Sequence, residues 1–243
     1  TVTVTVTVVR VVAARAAHAA TTNALRAVRT SAMALGCALS ACASGPPAPD
    51  WAVNAHGALT RFEAAWLRGD TRIAQGEFAR ARSELARTGR PDRVAHAELV
   101  RCAMQAASLD IDDCPAFAPL AADAGPALRA YADYLAGRWQ DVDAALLPPQ
   151  HRAVPAGGIA LAAIDDPVSR LVAAGAQLRA GRLTPESITT AIDTASAQGW
   201  RRPLLAWLTL QERRAQAAGD TTAAAALRRR IDLVAGDDTG RTR

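Results

Sequence analysis

The chain lacks lysine: of its 243 residues, all 28 that are Lys or Arg are arginine. Aromatic residues are scarce, at only 4% of the chain. Several short motifs that carry familiar chemistry are also missing from the sequence, namely the Gly-x-Ser-x-Gly nucleophile elbow, the phosphate loop and the dinucleotide-binding fingerprint. Neither a paired-His zinc helix nor a Cys-x-x-Cys pair occurs. The sequence therefore predicts no catalytic residue, no metal site and no cofactor.

The histidines and aspartates of the chain form no recognisable ligand set. His56, His96 and His151 are far apart in the sequence, and a single histidine on a helix usually belongs to the surface or the core. We expect a substitution of any of them to leave stability and binding nearly intact. The aspartates of residues 110–113 resemble the start of a calcium loop. That loop would place glycine at its sixth position and a bidentate glutamate at its twelfth, where this chain has Ala121, so no calcium site is predicted.

Alanine is abundant, with 60 residues, about a quarter of the chain. Alanine loses no side-chain entropy on entering a helix, so this composition favours helical structure. The chain is 50% hydrophobic and 21% charged, as ordinary foldable chains are. At this length we expect one domain or one repeat array.

The net charge of +5 does not indicate a nucleic-acid partner. Residues 1–41 hold four arginines and no acidic residue, which leaves 24 basic against 23 acidic residues in the rest of the chain. A nearly neutral body has no electrostatic footprint for a polyanion. The excess positive charge belongs to the N-terminal segment, which has another explanation.

Residues 26–42 have the organisation of an export signal. Arg26 and Arg29 precede a short apolar run that ends in small residues at a cysteine, which is the order found in secretory signals. The apolar run over residues 32–41 is only about half of the roughly 20 residues that a transmembrane helix needs. We therefore expect residues 1–41 to be a cleavable signal segment rather than a permanent membrane span.

The end of this segment resembles the lipobox of bacterial lipoproteins. The residues that carry the resemblance are Leu39, Ser40, Ala41 and Cys42. In that family the leucine fills an apolar pocket, small residues flank the cut, and the cysteine is acylated and becomes the first residue. The resemblance implies lipidation of Cys42, and Ala43 after it implies sorting to the outer membrane. The alternative is an ordinary cysteine in an alanine-rich helix over residues 23–43.

Residues 1–24 precede any plausible start of the signal. They begin with alternating threonine and valine, which taken literally is a half-polar strand, but no second strand-like segment exists to pair with it. We interpret these residues as a non-native extension, with translation starting near Leu25 or Val28. Residues 42–50, after the signal, are a lipidated cysteine and a Pro-rich tether of the kind that stays extended and solvated.

Residues 51–236 are predicted to form a helical domain, followed by a disordered tail over residues 237–243. Three helices precede residue 109, and the next are predicted over residues 126–136, 139–147, 167–180, 185–197, 203–218 and 221–234. Prolines begin several of these segments, where a missing N–H costs nothing. In the last one, an apolar stripe formed by Leu227, Ile231 and Val234 lies beside three arginines that form a solvated edge.

Glycines recur at the predicted helix ends, at Gly69, Gly137, Gly181 and Gly219. Recurrence every 34 to 45 residues is typical of stacked helical hairpins. The segments Gly137–Val142 and Gly76–Ala81 resemble the tetratricopeptide pattern of glycine, aromatic and small residue, in which the aromatic fills the hairpin. The resemblance implies an all-α fold, an antiparallel helical-hairpin array of the tetratricopeptide-like α-solenoid type. The alternative is an irregular helical bundle in which the glycine spacing is coincidental.

Cys102 and Cys114 are the cysteines that would remain beside Cys42 in an exported chain. An even pair in an oxidising compartment normally forms a disulfide, which here would staple a helix to the following connection. Closing a loop of this size is worth about 3 kcal/mol. The alternative is two unpaired, buried cysteines.

These features together favour a non-enzymatic, lipid-anchored, periplasm-facing protein of the outer membrane that binds another envelope protein. Helical-repeat lipoproteins such as pilotins and an outer-membrane assembly subunit resemble this plan. One alternative is a helical accessory domain of a murein-enzyme system. Another is a cytosolic helical protein with an accidental lipobox. We expect membrane attachment through acyl chains on Cys42, and no nucleic-acid partner.

Overall fold

The computed structural model describes residues 47–236, and in this part of the chain it contains eight α-helices and no strand. The all-α class predicted from the alanine-rich composition is therefore confirmed. Short 3-10 turns occupy parts of the connections between α3 and α5. The helices are α1 (Asp50–Arg68), α2 (Thr71–Ala86), α3 (Pro91–Ala107), α4 (Pro126–Leu135), α5 (Pro167–Arg179), α6 (Pro185–Ala197), α7 (Arg201–Ala217) and α8 (Thr221–Gly236).

Local sequence accounts for most helix ends. Proline is the first residue of α3, α4, α5 and α6, where its missing N–H requires no partner. Three side chains cap the backbone of a first turn: the Asp166 carboxylate accepts from the Ser169 N–H at 2.7 Å, the Thr184 hydroxyl from the Ser187 N–H at 3.1 Å, and the Asp220 carboxylate from the Ala223 N–H at 2.9 Å. All four predicted helix-end glycines have a left-handed backbone: Gly69, Gly137, Gly181 and Gly219.

The helix predicted over residues 139–147 is wrong. The chain forms two separate 3-10 turns there, Trp139–Asp141 and Ala144–Leu146, with extended backbone at Val142 and Asp143 between them. The Asp143 carboxylate accepts a 2.9 Å hydrogen bond from the Ala145 N–H. Such a local side-chain bond competes with helical hydrogen bonding, so the turn replaces a continuous helix.

Helix α3 lies at the centre of the packing and contacts α1, α2, α4 and α5. Its closest neighbour approaches through Gly175 of α5: a Cβ atom built there would lie 2.2 Å from the carbonyl oxygen of Ala106. Only a residue without a side chain permits this approach. The ends of α3 and α5 are therefore held side by side, which positions the site described below.

The helices at the two ends of the described chain form antiparallel pairs, α1 with α2 and α7 with α8. Helix α7 also packs against α1, where Arg202 donates to the carbonyl of Trp66 at 2.7 Å and its guanidinium lies 4.1 Å from the centre of that indole ring. In a solenoid each repeat contacts only its neighbours. Contact between α1 and α7 is instead typical of a bundle with one shared core. The tetratricopeptide-like solenoid receives no support from this pattern and stays a prediction.

Candidate functional site

A cleft of about 330 Å³ opens between the end of α3, the loop after it, α4 and the end of α5. We call it the disulfide cleft. Its apolar lining includes Cys102, Ala106, Cys114, Phe117 and Leu135. Its charged lining includes Asp112, Asp113, Arg129, Asp133, Arg138 and Arg179.

Cys102 and Cys114 are joined by a disulfide in the wall of this cleft, with their Cα atoms 5.8 Å apart. Cys102 is on α3 and is only 3% exposed, whereas Cys114 is half-buried in the following loop. This is the pairing that the cysteine count predicts. The bridge ties the loop over residues 108–114 to the helix that precedes it.

Two residues of that loop have a backbone conformation that residues with a side chain rarely adopt. Leu109 has φ 55° and Cys114 has φ 50°, and neither residue is glycine. The Asp112 carboxylate stabilises the loop by two hydrogen bonds. It accepts from the Cys114 N–H at 2.9 Å, within the loop, and from the Gln105 amide on α3 at 3.2 Å. The other amide atom of Gln105, its buried Oε1, has no hydrogen-bond partner among the residues that the structure describes.

Arg179 holds the loop from outside, at the end of α5. It donates to the main-chain carbonyl of Asp112 at 2.6 Å and to the carboxylate of Asp113 at 2.7 Å. Arg179 is 17% exposed and Asp113 is 91% exposed, so the arginine is the anchored partner of this pair. The hydrogen bond from Arg179 and its positive charge hold the pKa of the Asp113 carboxyl below its usual range.

A second ion pair lies on another part of the rim. Arg138 donates to the Asp133 carboxylate through two nitrogens, at 3.1 and 2.7 Å, and both residues are exposed enough to meet a ligand. The positive charge of Arg138 also lowers the pKa of Asp113, so the two pairs are near each other. Arg129 is engaged with the carbonyl of Ala124. The rim therefore presents charges of both signs around an apolar floor.

The cysteines and Asp112 also form the one group of potential metal ligands found among the described residues, with their ligand atoms within 4.8 Å of one another. A metal needs both cysteines as free thiolates. In the structure both sulfurs are committed to the disulfide, and both carboxylate oxygens of Asp112 accept hydrogen bonds from the loop and α3. This arrangement does not fit a metal site.

The structure does not support the prediction that a substitution of His151 leaves stability nearly intact. His151 belongs to a 3-10 turn, Pro149–His151, in the connection between α4 and α5, is only 2% exposed, and has its Nδ1 3.1 Å from the hydroxyl of Tyr134 on α4. Burial lowers the pKa of His151 from 6.5 to about 4, against a smaller opposing influence of Asp166. Burial likewise raises the pKa of the Tyr134 phenol. His151 is therefore a neutral core histidine, hydrogen-bonded to tyrosine.

The predicted lipidation site lies outside the described residues, as do the lipobox residues Leu39, Ser40, Ala41 and Cys42. Within the described part, no helix combines the length and apolarity that crossing a membrane requires. Comparison with protein-family models, curated proteins and solved structures found no match to this chain.

Sequence reasoning located the cysteine pair but missed the charged rim. The role of Asp112 could have been predicted from the sequence, because an aspartate two residues before Cys114 can accept from the Cys114 N–H in an Asx turn. The role of Arg179 could not, since its partner Asp113 lies 66 residues earlier in the chain. Only the packing of α5 on α3 brings them together.

Proposed function

We propose that this chain is a lipid-anchored, periplasm-facing protein of the outer membrane that binds another envelope protein through the disulfide cleft. The anchor is Cys42, on which acyl chains each contribute about 0.8 kcal/mol per buried methylene, so that several chains bind almost permanently. Asp50, where α1 begins, follows Cys42 by eight positions, so the anchor and the helix can be at most about 29 Å apart along the chain. A domain on so short a tether meets partners close to the membrane surface.

The observation that carries the binding function is the composition of the cleft. Phe117, Leu135 and the disulfide give the cleft an apolar lining, and two ion pairs, Arg138–Asp133 and Arg179–Asp113, supply charges of both signs at its rim. An apolar core with a polar rim is the usual anatomy of a protein-binding surface. The groups in the cleft are engaged in structural bonds, and no nucleophile and base are adjacent among the described lining residues.

The charges of the rim select the occupant. Because Arg138 and Asp133 remain substantially exposed while they are paired, a ligand of a single charge would meet repulsion from one of them. A polypeptide segment with one apolar side chain for the floor, flanked by one acidic and one basic residue, satisfies both. We propose such a segment of an envelope protein as the occupant.

Site-specific photocrosslinking tests this assignment. A photoreactive residue placed at Ala136, which lines the cleft, is expected to crosslink the partner in intact cells. The same residue at Arg229, on the exposed side of α8, serves as the matched control. A peptide covering the crosslinked segment of the partner is then expected to bind the purified full chain. Capture of a partner equally from both positions, or a peptide that does not bind, argues against the cleft.

Charge reversal tests the proposed complementarity. Arg138→Asp replaces the ion pair with two neighbouring acidic side chains, at positions 133 and 138. This variant is expected to weaken peptide binding at least tenfold. The double variant Asp133→Arg with Arg138→Asp restores an ion pair of opposite polarity, so folding is expected to be unchanged while binding stays weak. Wild-type affinity in the double variant would show that the rim does not select the peptide.

The anchor is tested separately with Cys42→Ser. We expect this variant to be released from the membrane fraction or to retain the mass of the unprocessed precursor. Unchanged fractionation and unchanged mass would instead support a cytosolic helical protein. Isolation of a murein hydrolase as the crosslinked partner would favour the accessory role in a cell-wall enzyme system.

A further inference from the structure

The disulfide is accessible from the cleft on one side. Both cysteines line the cleft, but Cys102 is buried on α3, whereas Cys114 is half-buried in the loop. An attacking thiol that enters the cleft therefore meets the sulfur of Cys114 first. Exchange at a disulfide depends on which sulfur can be reached.

The closed loop and the end of α3 beside it contain unfavourable features. Leu109 and Cys114 both have left-handed backbone, which residues with a side chain rarely adopt. Gln105 is 8% exposed, and within the described part of the chain its buried Oε1 has no hydrogen-bond partner. Both kinds of feature persist only where surrounding bonds impose them, so opening the loop would relieve them.

Besides the hydrogen bond from Gln105 to Asp112, two elements hold the loop closed. One is the disulfide, which joins Cys114 to α3. The other is Arg179, whose guanidinium donates to the Asp112 carbonyl and the Asp113 carboxylate. Without the disulfide, the exposed ion pair to Asp113 contributes little, because solvent screens it.

We propose that the Cys102–Cys114 disulfide is a thiol–disulfide exchange site whose reduction opens the loop over residues 108–114 and reshapes the cleft. The reductant is a protein or small molecule of the dithiol class. Its thiolate attacks Sγ of Cys114, the bond to Cys102 breaks, and a mixed disulfide forms. Cys102 leaves as a thiolate and, because it is buried near the Asp112 carboxylate, takes up a proton.

The second thiol of the reductant completes the reaction. As its thiolate it attacks the mixed disulfide at the reductant's own first sulfur and releases Cys114, which takes up a proton. The two cysteines have then gained two electrons and two protons, and the reductant has become a disulfide. In the reduced protein, residues 111–114 have lost their covalent tie to α3, and the hydrogen bond from Gln105 to Asp112 remains as the side-chain tie between them. This inference deepens the proposed function, because it gives the docking cleft a means of control.

Native-state reduction of the full chain, with dithiothreitol as the dithiol, tests the proposal. Before reduction, alkylation is expected to modify neither Cys102 nor Cys114, and two alkylated cysteines in freshly isolated protein would contradict the starting state. After reduction without denaturant, both are expected to be alkylated while the helical circular dichroism is retained. Amide hydrogen exchange is expected to quicken at least tenfold over residues 109–114 and to stay unchanged in α1 and α2.

Variants separate the loop from the rest of the fold. Arg179→Gln removes the bonds from Arg179 to Asp112 and Asp113. The disulfide of this variant is expected to be reduced several-fold faster than that of the wild type. Arg68→Gln breaks another exposed arginine–aspartate pair, between Arg68 and Asp70, and is expected to be reduced at the wild-type rate. The double variant Cys102→Ala with Cys114→Ala is expected to reproduce the fast exchange of the reduced loop.

Three outcomes would overturn the proposal: reduction that requires denaturant, loop amides that exchange equally in both redox states, or unfolding of the whole domain on reduction. These measurements need no partner, so they can succeed when the crosslinking experiment fails. If a partner peptide binds, its affinity for the oxidised and reduced chains is expected to differ. Equal affinities would contradict redox control of peptide binding, but they would not contradict the proposed binding function itself.

Discussion

The indole N–H of Trp207 donates a 3.0 Å hydrogen bond to the main-chain carbonyl of Ala107, which lies 100 residues earlier in the chain. A second indole, that of Trp66, donates to the carbonyl of Met104 at 3.0 Å. The last four carbonyls of a helix have no partner within the helix. Tryptophans from α1 and α7 therefore satisfy the end of α3 and join the two terminal helix pairs to the centre.

Trp207→Phe is expected to lower the free energy of unfolding by about 1 to 3 kcal/mol, because it leaves the buried Ala107 carbonyl without a donor while it keeps most of the apolar contact. Urea denaturation followed by circular dichroism measures the change. Trp200→Phe is the control, since that half-buried indole makes no hydrogen bond within the described part of the chain. A similar loss in both variants would show that the bond to Ala107 contributes nothing specific.

Gly175→Ala is expected to destabilise the protein by about 3 kcal/mol, because its Cβ would overlap the backbone of Ala106 and force α5 away from α3. Gly76→Ala provides the matched helical control. Apart from the backbone of its own helix and its chain neighbours, no atom of the described residues lies within 4 Å of a Cβ built at that exposed position of α2. There alanine is expected to stabilise the protein by about 0.5 to 1 kcal/mol. Thermal unfolding checks the prediction: the unfolding temperature is expected to fall for Gly175→Ala and to rise for Gly76→Ala. An unchanged unfolding temperature for Gly175→Ala would contradict the close approach of the two helices.

The stability of the protein is expected to fall as the pH drops from 6.5 towards 4, because of His151. The unfolded chain takes up a proton on this histidine near its ordinary pKa of 6.5, while the buried side chain resists it until about pH 4. Protonation thus favours the unfolded state within this window, by about 3 kcal/mol at its acidic end.

His151→Gln is expected to remove this part of the acid sensitivity, so the difference in unfolding free energy between wild type and variant narrows as the pH falls. Urea titrations at a series of pH values measure it. His56→Gln, at an exposed position on α1, is expected to leave the wild-type pH profile unchanged. A His151 variant with the same acid slope as wild type would refute the assignment.

Trp139→Ala is expected to cost about 3 to 5 kcal/mol of unfolding free energy. Trp139 is 7% exposed, stacks on the Tyr134 ring at 5.7 Å and donates to the Tyr134 carbonyl at 2.9 Å. Trp51→Ala is the comparison, because that half-buried ring lies under the Arg93 guanidinium at the start of α1. Denaturant unfolding is expected to show a much smaller loss there, and equal losses would argue against a core role for Trp139.

The helical class and most helix ends were readable from the sequence, because their causes are local. Alanine propensity acts residue by residue, proline suits a first turn wherever it occurs, and the helix-end glycines take the left-handed backbone that other residues avoid. The segment 139–147 shows the limit of this reasoning. Its composition suits a helix, but the Asp143 side chain bonds to the Ala145 backbone and gives a turn instead.

The cysteine pair was also predictable by number and spacing, since the two residues are separated by 12 positions across one helix end. The Arg179–Asp113 pair at the rim of the cleft was decided by tertiary structure alone. Arg179 reaches Asp113 only because Gly175 lets α5 lie against the backbone of α3, and Trp207 reaches Ala107 only because α7 packs on the same centre. Local preferences act between residues a few positions apart, whereas these contacts depend on which helices share a core, and that is set by the packing of the whole domain.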